Sequence, residues 1–393
     1  MNDSHSRPRL GRNVIALGAV SFLTDVSSEM IYPLLPVFLT ATLGADAAFV
    51  GAIEGAAETT AALLKLASGW WSDRVRRRKP LVVIGYAIAS IARPLVAIAQ
   101  SASQVLAIRV SDRVGKGIRN APRDALIAES VDPSIRGRAF GFHRAMDNAG
   151  GVLGPLIAFA VLTWHFAALR TVFWLAAIPA LLSLIVLVAF VRDVPRAATR
   201  SGAAAKGLDL TRPMGARFWK VLGVIFLFTL GNSTDAFLLL RANQLGVPVA
   251  LAPILWAALH VVKTASNVPG GVLSDRIGRR PTLIAGWLLY AVVYFGFARA
   301  SEAWQAWALF ALYGLFFGLT EGSERALVAD MVSLESRGTA FGWYNLAIGL
   351  GALPASLLFG FVWDRSGAPV AFVMGASLAL VAAIGMTLVG KKA

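Results

Sequence analysis

The sequence predicts an all-α polytopic membrane protein: twelve transmembrane helices in two pseudo-symmetric six-helix halves. Three observations carry that prediction. The chain is 57% hydrophobic and only 15% charged, a composition outside the range of ordinary soluble domains. Its apolar runs are long enough to cross a hydrocarbon core, which takes about 20 helical residues, and short charged clusters separate them. The chain also repeats itself. Gly69-Trp70-Trp71-Ser72-Asp73-Arg74 returns as Gly271-Val272-Leu273-Ser274-Asp275-Arg276. Arg136-Gly137-Arg138-Ala139-Phe140-Gly141 returns as Arg337-Gly338-Thr339-Ala340-Phe341-Gly342, and Ala125–Glu129 returns as Ala326–Asp330. Three matches at nearly one offset mark two homologous halves, and paired halves are how a protein builds a site able to face either side of a membrane.

The predicted spans run in order. The first, 13–40, follows Arg7, Arg9 and Arg12 without a small-residue cleavage pattern, and reads as a signal anchor. The second, 48–72, ends at a basic turn, and the third, 80–100, opens on Pro80. The fourth, 104–130, is the most charged; the fifth, 137–163, carries closely spaced glycines; the sixth, 167–192, completes the N-terminal half, residues 1–192. A basic, Ala- and Gly-containing linker over 193–216 divides it from the C-terminal half, 217–393. There the spans are 217–243, 250–274, 281–300, 303–331, 338–363 and 368–390.

A net charge of +15 would suit a nucleic-acid partner, but its distribution argues otherwise. Lys and Arg gather in both tails and in the even-numbered links, while only Arg170, Arg241, Arg299 and Arg365 sit near the opposite side. That asymmetry encodes topology, with both termini expected in the cytoplasm, an inner-membrane location, and some attraction to anionic lipid. Nucleic acid is not an expected partner. With no cysteine and four histidines, the chain has no disulfides and a poor supply of soft metal ligands, so no metal site is expected. Nucleophile-elbow, zinc-protease and phosphate-loop signatures are absent, so neither an enzyme nor a cofactor is expected. Asn232-Ser233-Thr234 fits a glycosylation sequon but falls inside the seventh span, out of reach of the modifying enzyme.

The doubled motif ends the second and eighth spans. Gly69 and Gly271 would let a neighbouring helix approach, and Asp73 and Asp275, with Arg74 and Arg276, would latch the cytoplasmic ends in one conformation. A topology-setting turn would explain the arginines alone, but not a Gly and an Asp held at one spacing in both halves. The second copy resembles, at every fixed position, the Gly-x-x-x-Asp-Arg-x-Gly-Arg-Arg signature of the major facilitator superfamily; the first carries Arg76 where that family has glycine. Arg113-x-x-x-Gly117 resembles the family's fourth-helix motif, whose arginine lies near a coupling carboxylate. Gly141, Gly150, Gly154 and Pro155 resemble its antiporter motif in part, with Ala158-Phe159 in place of the trailing glycines. The resemblance implies a proton-exchanging exporter; packing alone also calls for glycines at this spacing.

Several intramembrane charges are site candidates, because charge at membrane depth is costly and usually faces a cavity or a partner. Asp25 and Glu29 are four apart and share a helix face; two neighbouring carboxylates repel as anions, which suits reversible proton loading. Arg113 would stabilise their charged forms. The bland alternative is an ion pair of these acids with Arg113 or Arg144. Lys116, Arg119 and Arg144 are expected to meet an anionic or zwitterionic part of the substrate, and Arg144 and Asp147 to face the charged fourth helix. Glu54 and Glu58 share a face of the second span, Asp235 keeps one acid in the seventh, His260 lies among apolar residues of the eighth, and Glu321 follows a Gly314, Gly318, Gly322 stripe. Trp256, Tyr313, Trp343 and Tyr344 line a cavity or belong to interfacial belts, with the belt the default for tryptophan. The expected function is a monomeric secondary transporter moving a small anionic or zwitterionic solute outward in exchange for protons. A cationic-drug exporter, a proton-symport importer and a lipid flippase are the alternatives on the same fold, and a non-transporting receptor is a different class.

Overall fold

The computed structural model describes residues 11–72, 75, 77–132, 135–164, 168–193, 214–333 and 336–389. Twelve long helical stretches follow one another: α1 (Arg12–Thr42), α2 (Ala47–Ser72), α3 (Lys79–Ile98), α4 (Ala102–Glu129), α5 (Arg136–Trp164), α6 (Leu169–Phe190), α7 (Ala216–Gln244), α8 (Val249–Ile277), α9 (Arg279–Arg299), α10 (Ala303–Asp330), α11 (Arg337–Ser366) and α12 (Ala368–Leu388). Among the described residues, 11 helices are apolar and long enough to cross a membrane. The exception is α4, which has the length, 28 residues, but carries Arg109, Asp112, Arg113, Lys116, Arg119, Arg123 and Asp124. Most of the 193–216 linker lies outside the described residues.

α1, α3 and α7 depart from regular α geometry. Pro33 and Pro36 lack amide donors, and there α1 passes through a 3₁₀ turn and then a π turn. Pro94 does the same to α3, which tightens to 3₁₀ over Arg93–Ile98. α7 unwinds between Gly231 and Ala236. α6 and α12 turn Ile178, Leu181, Ile185 and Val188, and Val370, Leu380, Val381 and Ile384, outward. So many exposed aliphatic side chains are a face for lipid, not water.

The halves meet through α2 against α11 and α5 against α8. A side-chain carbon at Gly51 would stand 2.9 Å from the Ser356 backbone carbon, and one at Gly55 would stand 2.7 Å from the Leu353 Cα, so glycine is what permits this crossing. Thr59 donates to the Gly349 carbonyl at 2.6 Å. At the far end, Asp364 of α11 accepts the Ala47 and Ala48 amides at 3.0 and 2.7 Å. One half thereby caps the exposed N-terminus of a helix in the other, satisfying amides that a helix start leaves unpaired. These contacts lie away from the end that carries the basic α2–α3 and α8–α9 turns.

Asp364→Ala removes the carboxylate that caps those two amides. The expected loss is about 1 kcal/mol of stability, read as a lower melting temperature in detergent; unchanged melting would mean that water replaces the cap without cost.

Candidate functional site

Between the halves lies a cavity of about 350 Å³ lined chiefly by charged side chains: Asp25 and Glu29 of α1, Glu58 of α2, Arg93 of α3, Arg109, Arg113, Lys116 and Arg119 of α4, Asp235 of α7, and His260 and Lys263 of α8. It shares Tyr32, Glu58, Lys116, Asp235, Lys263 and Phe317 with a second compartment of about 600 Å³, so the two form one central space. On α2 the larger compartment is lined from Glu54 through Glu58 and Ala61 to Lys65. At about 1.5 Å per helical residue this is a path toward the basic end.

Most of the intramembrane charge is matched within the protein. Arg109 forms a two-pronged pair with Glu54, at 2.9 and 2.6 Å, with both residues buried. Asp112 accepts from Arg93 Nε at 2.9 Å and lies 3.8 Å from Arg109, while Arg93 also donates to the Thr24 carbonyl at 2.8 Å. One chain of charges thus ties α1, α2, α3 and α4 together. Arg113 lies 3.5 Å from Glu58, and Lys263 of α8 lies 3.5 Å from Glu321 of α10. Asp235 accepts from the Tyr313 hydroxyl at 2.6 Å.

Two cations of α4 remain. Lys116 lines both compartments without an ion-pair partner among the described residues. Arg119 is only 4% exposed, lies 4.3 Å over the Tyr86 ring, and leaves Nε and one terminal nitrogen without a hydrogen-bond acceptor among the described residues. A buried donor without an acceptor is costly.

The paired acids of α1 are held in place by glycine. A side-chain carbon at Gly150 would stand 2.5 Å from the Phe22 carbonyl and 2.9 Å from Asp25 Cβ; at Gly154 it would stand 2.6 Å from the Val26 carbonyl and 3.1 Å from Glu29 Cβ. α5 therefore presses directly on the turn that carries both carboxylates, with Pro155 inside the same helix. Glu29 accepts from Trp256 Nε1 of α8 at 2.7 Å, a bond between the halves, and Trp256 packs on Tyr32 at 4.9 Å and edge-on to His260 at 5.2 Å.

Several expectations change in detail. Arg113 pairs with Glu58, not with Asp25 or Glu29, because α4 lies against α2 along this stretch. Arg144 is exposed and absent from the lining of both compartments. Asp147 accepts from Ser21 of α1, has His143 at 3.5 Å, and interacts electrostatically with Arg123 of α4. Gly271 meets open space; the close crossing of α8 and α10 falls one residue earlier, at Gly270 against Gly318. Asp275 pairs with Arg279, whose other partner is Asp330 of α10 at 3.5 Å, and Arg276 sits in the last turn of α8. Gly69 falls within α2, while Asp73 and Arg74 lie outside the described residues. Trp256 and Tyr313 are buried beside the cavity and do not form a belt. Arg93, which sequence reasoning missed, lies inside the predicted third span, 80–100, next to Pro94.

A helical bundle in two halves around a charged central space is the build of a membrane transporter. The chain belongs to the Major Facilitator Superfamily, whose model matches residues 17–262 and again 221–392. It is 34% identical over 389 residues to an uncharacterized MFS-type transporter of Methanocaldococcus jannaschii, covering 98% of this chain and 96% of that one. It is 30% identical over 271 residues, 67% of this chain and 62% of the other, to a probable 4-methylmuconolactone transporter of Cupriavidus pinatubonensis. The fold matches that of the nucleoside transporter NupG with a TM-score of 0.78 at 16% identity, covering 96% and 98% of the two chains.

Glu54→Gln would leave the buried Arg109 guanidinium with Asp112, 3.8 Å away, as its remaining carboxylate among the described residues, at an expected cost of about 3 kcal/mol. Glu58→Gln should cost far less, because the Glu58 side chain is 52% exposed to the cavity. Thermal unfolding of the two variants side by side checks this, and equal losses would contradict it.

Proposed function

We propose that this transporter carries a small organic anion, with protons as the coupling ion, by rocking its two halves about the central space. The observation that carries the reading is the pair of unmatched α4 cations, Lys116 and Arg119, both lining the cavity. Asp25 and Glu29 face the same cavity and serve as the proton sites. With the basic turns placed in the cytoplasm, the described state is open to the cytoplasm and sealed on the other side by α2 against α11. The relative named for 4-methylmuconolactone agrees with a small organic solute.

Export by exchange for protons is the mode implied by the resemblance of the α5 glycines to the antiporter motif; in the structure they set the backbone of α1 beneath both acids. One observation favours a second mode, symport. Asp25 and Lys116 line the same cavity and attract each other across it, so a substrate anion would compete with Asp25 for that cation and a proton on Asp25 would favour the substrate.

Purified protein in liposomes holding an internal pH dye separates the modes. Organic anions are added to one side under an imposed pH gradient. Proton movement opposite to the anion supports exchange, and movement with it supports symport. Either should vanish in Asp25→Asn/Glu29→Gln. Coupled proton movement that survives this double change would remove both acids from the coupling role.

A further inference from the structure

We propose that the transported anion carries a planar ring with an uncharged polar substituent: the N-terminal half binds the charge, the aromatic wall of the C-terminal half takes the ring, and Asn232 in the unwound segment of α7 reads the substituent. The inference rests on the anion reading above and extends it to the other wall of the same space.

The two halves can be compared position by position, because α4 and α10 are both 28 residues long and align end to end. On that alignment Arg109 becomes Phe310, Asp112 becomes Tyr313, Lys116 becomes Phe317 and Arg119 becomes Thr320. The same shift turns Arg93 of α3 into Tyr294 of α9, and the α2–α8 match turns Glu54 into Trp256. Where the N-terminal half builds a charge network, the C-terminal half builds one of rings. Tyr294 lies 6.5 Å from Tyr313 between ring centres, and Tyr313 meets Phe317 edge-on at 5.0 Å. Phe317 lines both compartments, with Lys263 4.1 Å over its ring. Tyr32 lines both from the N-terminal side. Tyr32 and Phe317 thus give the central space aromatic surface from each half, which favours a ligand that carries a ring.

Beyond the rings lies the break in α7. Non-helical backbone at membrane depth is tolerated where it is buried in protein or lines a water-filled cavity, and all four residues from Asn232 to Asp235 line the larger compartment. Three of their side chains are engaged: Ser233 with Tyr294, Thr234 with the Ala236 amide, and Asp235 with Tyr313. The Asn232 amide has no side-chain hydrogen bond among the described residues, leaving both a donor and an acceptor for a hydroxyl or carbonyl on the ligand.

Calorimetric binding to the purified full chain tests this with acetate, benzoate, 4-hydroxybenzoate and 4-hydroxybenzamide. Benzoate should bind at least about tenfold more tightly than acetate, and 4-hydroxybenzoate more tightly still. Asn232→Ala should erase the advantage of 4-hydroxybenzoate over benzoate while leaving benzoate unchanged. Phe317→Leu should erase the advantage of benzoate over acetate, and Phe317→Tyr, which keeps a ring, should retain it and show that the cavity remains intact. Acetate binding as tightly as benzoate, no binding of either aromatic acid, or equal loss of benzoate and 4-hydroxybenzoate in Asn232→Ala would overturn this inference. 4-Hydroxybenzamide binding as tightly as 4-hydroxybenzoate would instead overturn the anion reading beneath it.

Discussion

Charge inside a hydrocarbon layer has to be matched, and that requirement organises the N-terminal half. The chain from Arg93 through Asp112 and Arg109 to Glu54, anchored to the Thr24 carbonyl, joins four helices by their buried side chains. Such a network is weak evidence for stability, since well-packed apolar residues often do as well; removing one member is what costs heavily. Its consequence is geometric. With these groups satisfied by one another, α4 is held against α2 and α3, and Lys116 and Arg119 line the central space without a carboxylate at ion-pair distance among the described residues.

Close helix approach sets the remaining positions. Gly85 and Gly115 let α3 and α4 touch backbone to backbone behind the charge network, where side-chain carbons would stand 2.6 and 2.5 Å from the opposing carbonyl oxygens. Gly150 and Gly154 do the same for α5 against α1, beneath the two acids. The C-terminal half uses the same devices at Gly270 and Gly286 but fills its interior with Phe228, Trp287, Tyr290 and Tyr313. Pseudo-symmetry therefore supplies one scaffold twice, and the two copies have diverged into a charged wall and an aromatic wall.

How much of this was legible in the sequence depends on the range of the interaction. Apolar runs and doubled motifs are local patterns, and they disclosed the spans and the repeat. α4 was recognisable as the charged helix because its load is visible in one stretch of chain. The partners were not, because pairing is set by helix packing: Arg113 faces Glu58 because α4 crosses α2, and no spacing along α4 reveals that. Arg93 was passed over beside its proline, Trp256 follows a cavity rule where a statistical belt rule pointed outward, and Gly270 instead of Gly271 carries the crossing because one residue turns a helix face by about 100°. The break in α7 left only a misleading trace, a sequon in a place no glycan reaches.

The central claim is that Lys116 and Arg119 are the receptors for a substrate anion. Uptake of radiolabelled benzoate into liposomes, by wild type and by Lys116→Gln/Arg119→Gln at matched incorporation, tests it most directly. Benzoate uptake should be lost in the double variant with thermal stability retained, since neither cation has a carboxylate at ion-pair distance among the described residues. Benzoate uptake equal to wild type in a stable double variant would contradict it.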